Sequence, residues 1–491
     1  MDGDTVQALA VWKKQLLQPA LPVITIRMVT LRALCCTVVL IATGCADAPV
    51  RNAANTSGVI PEHWTTTQSS TNQIMTDWVD TFADSALTAL VNNSLNNNFD
   101  LKVAAARVDA ARQQTIIAGA GRWPQLGFVA GYVHTSSGIG VRNDGIGVSD
   151  YSAFDALFTL SWEIDVWGRI KATQQASQQD AEAVFADLQG ARLSLAARTA
   201  QSYFELIEAN LQAEVAEQSS KDRRTIVDLV RGRFARGLTR GLDLRLALTD
   251  LANAEAQVAQ SRNQVQIVTR RLEVLLGRYP NGHRDRRIES LGFLPMPPTV
   301  LSVGLPSQLL ERRPDLVAAF SRLRAMDSRV ESAKKALLPR ITLTASGGTS
   351  SAALTELVDP RAAAWNLATG LLQPIFTGGR LKGEIRLNEA LTKEALYQYQ
   401  STALNAFREV EQALAAEQWL RVQEQALHKA VEQTRASRKL AVTSYQQGLI
   451  EILTLLDSYR STLNAQSAHL TVQRQLLSNR IELYLALGGG I

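Results

Sequence analysis

A period-two strand that runs straight into a proline-free rod constrains this chain more than any other feature. Phe154, Ala156, Phe158, Leu160, Trp162 and Ile164 are apolar, with Asp155, Thr159, Ser161 and Glu163 between them and Leu157 the one exception. Such alternation marks a strand with one apolar and one polar face. After Asp165-Val166-Trp167-Gly168-Arg169 the composition turns to helix formers, and no proline occurs from Arg169 to Arg236. Leu193, Ala197, Ala200, Phe204, Ile207 and Leu211 follow a 4-3-4-3-4 spacing, the seam of a coiled coil. Val215 takes the place where a strict heptad would use Glu214, a slip that unwinds a supercoil locally without ending the helix. At 1.5 Å per residue this rod is roughly 100 Å long.

The tight break Gly237-Leu238-Thr239-Arg240-Gly241-Leu242-Asp243 ends the rod. A second seam, Leu251, Ala254, Val258, Ser261, Val265, Val268, Leu272 and Leu275, then turns back to Gly277. The whole pattern recurs. Asp100-Leu101 and Pro124 reappear 215 residues on as Asp315-Leu316 and Pro339. Gly168-Arg169, Gly237-Leu238 and Leu276-Gly277 reappear 211 residues on as Gly379-Arg380, Gly448-Leu449 and Leu487-Gly488. The duplicated unit, about 200 residues, is too long for a solenoid repeat. Each copy reads helix, strand hairpin, long helix, tight break and return helix. In the first copy these are 101–122, strands at 126–132 and 154–164, 169–236 and 243–276. The Gly-, Ser- and Asn-rich stretch 135–150 reads as a long loop. In the second they are 314–337, strands at 341–346 and 363–371, 380–446 and 452–487, and a short helix is expected over 85–96.

The N-terminus has its own logic. Arg27 and Arg32 precede the apolar run 34–41, and Ala42-Thr43-Gly44 leads into Cys45, the layout of a secretory signal too short to span a membrane. The motif resembles a bacterial lipobox, which makes Cys45 the lipid-bearing first residue of the mature chain, with S-diacylglycerol and N-acyl groups and no other cofactor. Met28 is the expected initiator. All three cysteines, Cys35, Cys36 and Cys45, lie in this segment, which excludes a disulfide or a Cys-based zinc site from the mature chain. The expected division is therefore 1–44 extension and signal, 45–80 lipidated tether, 81–277 first repeat, 278–310 linker and 311–488 second repeat. The linker holds Pro280, Pro295, Pro297, Pro298 and Pro306. With 51 basic and 46 acidic residues interspersed, the formal +5 charge describes a solvated surface and no nucleic-acid partner.

Two hairpins that face lipid impose closure, because every backbone amide in hydrocarbon must be paired. Four strands cannot enclose a barrel. Two copies give eight strands and a filled interior, whereas three give twelve and leave a lumen. The expected fold is mainly α, a tandem duplication with long antiparallel coiled-coil helices that contribute to an α-barrel. Four transmembrane β-strands per chain complete a 12-stranded barrel in a homotrimer.

These residues resemble the TolC-like outer membrane factor family, in its lipidated NodT-type branch. The resemblance rests on the junction Trp162-Glu163-Ile164-Asp165-Val166-Trp167-Gly168-Arg169 and on its counterpart from Leu372 through Gln373-Pro374-Ile375-Phe376-Thr377-Gly378-Gly379 to Arg380. It also rests on Gly304-Leu305-Pro306-Ser307, Arg312-Arg313-Pro314-Asp315 and the two Gly-Leu turns. It implies an outer-membrane conduit served by a periplasmic membrane-fusion adaptor and an inner-membrane pump of the resistance-nodulation-division type. The tips Gly237-Leu238-Thr239 and Gly448-Leu449-Ile450 would then meet the adaptor. Asp457 would ring the periplasmic gate, with Thr454 where some members carry a second aspartate. A competing reading makes Asp457 a solvated residue paired with Arg460 or Arg240.

The chain carries no signature of catalysis. Its five histidines, His63, His134, His283, His428 and His469, fall in no metal-ligand spacing, and there is neither a phosphate loop nor a nucleophile elbow. Gly378-Gly379 ahead of a helix reads as a tight turn, since Gly168 does the same work in the first copy. The alternatives to efflux are a channel for type I protein secretion and a lipid-anchored periplasmic coiled-coil scaffold without a pore.

Overall fold

Helix-forming composition without proline yields two helices of 67 residues each, Arg169–Ala235 (α3) and Arg380–Gln446 (α7). The computed structural model describes residues 47–58, 60–65, 78–142, 145–282, 293–297 and 304–490, with the side chains of 137–149 outside the description. Cys45 and the signal fall outside it, as does much of the tether and linker. Each long helix is followed by a 35-residue return helix, Gly241–Leu275 (α4) and Ile452–Ala486 (α8). In each copy a 22-residue helix precedes the hairpin, Phe99–Ala120 (α2) and Pro314–Lys335 (α6). Ahead of these lie Ser85–Asn97 (α1) and its one-turn counterpart Leu309–Arg312 (α5). The Asp84 side chain accepts from the Ala86 and Leu87 amides and starts α1. The Asn98 side chain accepts from Leu101 N and starts α2 two residues before the apolar periodicity begins.

The chain forms two units. One holds Leu126–Arg169 and Glu331–Leu381, the other Pro49–Gln125, Ile170–Val330 and Lys382–Ile491. The first contains a four-stranded sheet in the order β1-β2-β3-β4, with β1 Gln125–Arg142, β2 Gly145–Ile164, β3 Arg340–Ser351 and β4 Ala363–Leu372. The β2–β3 and β3–β4 pairs are antiparallel, so the two repeats meet in one sheet through β2 and β3. The loop expected over 135–150 is instead mostly strand: β1 runs to Arg142 and β2 starts at Gly145. Gly, Ser and Asn suit a loop, yet pairing within a hairpin holds them in strands just as well.

In the helical unit the predicted seam is buried. Leu193, Ala197, Ala200, Phe204 and Ile207 join Val265, Val268, Leu272, Leu477 and Ile481 in one core, with Leu211 packed against it. Trp78 is wholly buried there, stacked on Tyr484 at 5.8 Å, and truncating such a side chain to alanine costs about 3–5 kcal/mol. The Tyr203 hydroxyl donates to Asp84 Oδ2 at 2.6 Å, and burial together with that carboxylate pushes its pKa well up. A second core gathers Leu316, Tyr399, Phe407, Val410 and Leu483, and burial pushes Tyr399 up to about 12. Arg480 of α8 is fully buried and pairs with Glu417 of α7, which also accepts from Arg421 at 2.8 Å. Removing one partner of such a pair costs about 3–5 kcal/mol.

Candidate functional site

Strand register sorts the sheet into two faces. Across β2, β3 and β4 one face carries the rows Phe158–Gly347–Trp365, Leu160–Ala345–Leu367, Trp162–Leu343–Thr369 and Ile164–Ile341–Leu371. The other carries Thr159–Ser346–Asn366, Ser161–Thr344–Ala368 and Glu163–Thr342–Gly370. Strand β1 extends the apolar face, since the Phe128 ring lies 5.2 Å from Phe158 and the Tyr132 ring 4.6 Å from Phe154. Trp365 is 82% exposed and Leu371 71%. A patch of this extent on a sheet marks an interaction surface. Among the described residues the edge strands β1 and β4 have no further neighbour in the sheet, which leaves two unpaired edges.

The junctions after the hairpins are tight turns that only glycine enters without strain. Gly168 has φ 74°, and Gly378 and Gly379 have φ 59° and 86°. Trp167 Nε1 donates to Pro339 O at 2.8 Å, and Glu163 pairs with Arg169 at 2.9 Å. The junction's Trp167 and the repeated Pro339 thus lock the end of the β1–β2 hairpin to the start of β3.

At the two tips the chain closes α3 and α7 in the same way. The Leu238 amide donates to Arg233 O and the Gly237 amide to Phe234 O; the Leu449 amide donates to Ser444 O and the Gly448 amide to Tyr445 O. With Gly237 at φ 68° and Gly448 at φ 77°, both are Schellman caps. The leucines that follow stay in solvent, Leu238 59% and Leu449 72% exposed. Thr239 and Ile450 do not. The Thr239 hydroxyl donates to Asp243 Oδ2, which also accepts from Arg240 N at 3.2 Å, and that hydroxyl holds the Asp243 carboxyl below its ordinary pKa. Ile450 is half-buried against a core of Ile226, Val227, Val230, Ala247, Tyr445, Ile452 and Leu455. That core fastens the two tips to each other.

Near the start of α8, Thr454 and Asp457 are both exposed, and Asp457 pairs with Arg460 one turn on. Two further ion pairs were invisible in the sequence. Arg223 of α3 pairs with Asp250 of α4 at 2.6 Å, and Arg438 of α7 pairs with Asp222 of α3 at 2.7 Å while lying 5.2 Å from the Tyr459 ring centroid. The second ties one repeat to the other. The only available signal for Arg223 was a charged residue within an apolar seam.

A sheet apolar on one face and polar on the other, combined with duplicated helical hairpins, defines a channel subunit of the outer-membrane type. Known proteins agree. The family model described as "Outer membrane efflux protein" matches twice, over residues 90–278 and 305–489, and the chain belongs to that family. It is 32% identical to the pyoverdine export outer membrane protein OpmQ of Pseudomonas putida, over 88% of this chain and 92% of that protein. It is 29% identical to the probable outer membrane lipoprotein SilC of Salmonella typhimurium, over 84% of this chain and 88% of that one. The solved structure of the outer-membrane channel OprN superposes with a TM-score of 0.81 at 27% identity, covering 91% of this chain and 99% of the other. The chain is an outer-membrane efflux channel protein.

Proposed function

We propose that three copies of this chain close a twelve-stranded barrel and form the outer-membrane conduit of a tripartite efflux system, exporting small toxic compounds. The observation that carries this reading is the two-faced sheet with unpaired edges at β1 and β4. In lipid such edges must be satisfied, and pairing β4 of one copy with β1 of the next satisfies them while turning the Thr159, Ser161 and Thr342 face toward a polar lumen. Cys45 carries the lipid anchor, 45–80 is the tether, and the repeats 81–277 and 311–488 contribute equally, joined by 278–310. The exposed Leu238 and Leu449 dock the periplasmic adaptor, which links the conduit to an inner-membrane pump of the resistance-nodulation-division type. Export of a small molecule, rather than protein secretion, accords with the relative named for pyoverdine export.

The test is migration of the purified chain on a denaturing gel with and without heating, followed by planar-bilayer recording. A band three times the chain mass that collapses on boiling, together with ionic conductance, is the expected result. A single monomer band and electrically silent bilayers would overturn the proposal and favour a scaffold without a pore.

A further inference from the structure

The antiparallel pairing of α7 and α8 brings His469 of α8 against Glu424 and His428, which stand one turn apart on α7. His469 Nε2 lies 2.9 Å from Glu424 Oε1. His428, one helical turn beyond Glu424 on α7, places its ring 5.4 Å from that of His469. One ligand atom from each of Glu424, His428 and His469 lies within 4.8 Å of the others. Glu432, another turn along, approaches His428 Nε2 at 3.5 Å. Glu424 and His469 are largely shielded from water, whereas His428 and Glu432 stand at the rim.

We propose that Glu424, His428 and His469 form a binding site for a divalent transition metal of the zinc and copper class, which staples α7 to α8. Two imidazoles and one carboxylate are the donor set such ions prefer, and a hard ion such as Mg2+ would instead demand more oxygens. A tetrahedral ion with bonds near 2.0–2.2 Å holds its ligands about 3.3 Å apart. Reaching that spacing requires the Glu424–His469 hydrogen bond to open slightly and the exposed His428 ring to swing inward. The ion takes the place of the proton between Glu424 and His469, and Glu432 sits where it can hold His428 or supply a fourth ligand. Because the donors come from two helices, occupancy opposes any separation of α7 from α8. The site is independent of what the conduit transports.

The test uses the full chain purified in detergent without a polyhistidine tag, titrated with Zn2+ against a chromophoric chelator. One Zn2+ per chain is expected, together with a higher unfolding temperature in its presence. His428→Ala should weaken binding by at least about tenfold. Since His428 is at the surface, this variant keeps the fold and its metal-free unfolding temperature. His469→Gln should lose the same binding. Equal zinc affinity in all three proteins, or no zinc-dependent rise in unfolding temperature, would overturn the site and leave Glu424 and His469 as a simple hydrogen-bonded pair.

Discussion

Arg233 reaches from the end of α3 to the end of α7, where its Nη1 donates to the carbonyls of Tyr445 at 3.1 Å and Gln446 at 3.3 Å. Its guanidinium lies 5.2 Å from the Tyr445 ring centroid. A cation at a helix C-terminus satisfies orphan carbonyls and opposes the negative end of the dipole. The first repeat thereby caps the long helix of the second, and the two tips become one structural element. Arg233→Ala is expected to fray α7, at a local cost of about 1–2 kcal/mol. Hydrogen exchange should accelerate at residues 443–449 and remain unchanged at α2; equal protection in the variant would remove the capping role.

The Asp243 cap at the other side of the first tip is pH-dependent. The Thr239 hydroxyl, then the Arg240 amide, hold its carboxyl below the ordinary value of 3.8. A depressed folded-state pKa contributes stability that is complete above 3.8 and lost as pH falls through the lower folded value. Asp243→Ala should loosen the first turn of α4 by about 1 kcal/mol at neutral pH. As pH falls from 3.8 through that lower folded value, the difference in exchange between variant and parent over residues 241–247 should vanish.

Leu238→Asp and Leu449→Asp are expected to block export while leaving the oligomer and its level in the outer membrane intact. Both side chains are exposed, so the substitutions should change stability by no more than about 0.5 kcal/mol. Wild-type drug resistance in cells carrying either variant would dissociate these leucines from adaptor docking.

Asp457 is exposed beside Arg460, an arrangement compatible with a gate charge and with a plain surface pair. In a trimer three such carboxylates around a narrow axis would concentrate negative potential. Asp457→Ala should then lower cation selectivity in planar bilayers and weaken block by trivalent cations from the periplasmic side. Thr454 nearby adds no charge, so this single substitution should remove the effect. Unchanged selectivity and block would leave Asp457 as a surface residue.

Cys45→Ser should abolish labelling by an alkyne fatty acid. Barrel insertion should persist, because four strands bury far more apolar area than acyl chains do. A label retained in the variant would disprove lipidation at this position.

Periodicity is a local property, and whatever depends on it was written in the sequence. The 3-4 spacing from Leu193 to Leu211, the alternation of Phe154 to Ile164 and the shared shift of 211 residues between Gly237 and Gly448 determined the element types and the duplication. The glycines at the turns likewise declared themselves, because a positive φ excludes most other residues. Composition misled over 135–150, where glycine and serine suit a loop but strand pairing held the backbone extended. Partner choice across distance was left to tertiary structure. That β2 pairs with β3, that Arg438 meets Asp222 and that His469 meets Glu424 depend on where helices and strands far apart in the chain come to rest. No local interaction energy encodes such pairings: only burial of the seams, which brings the repeats together, decides which charged and ligating side chains face one another.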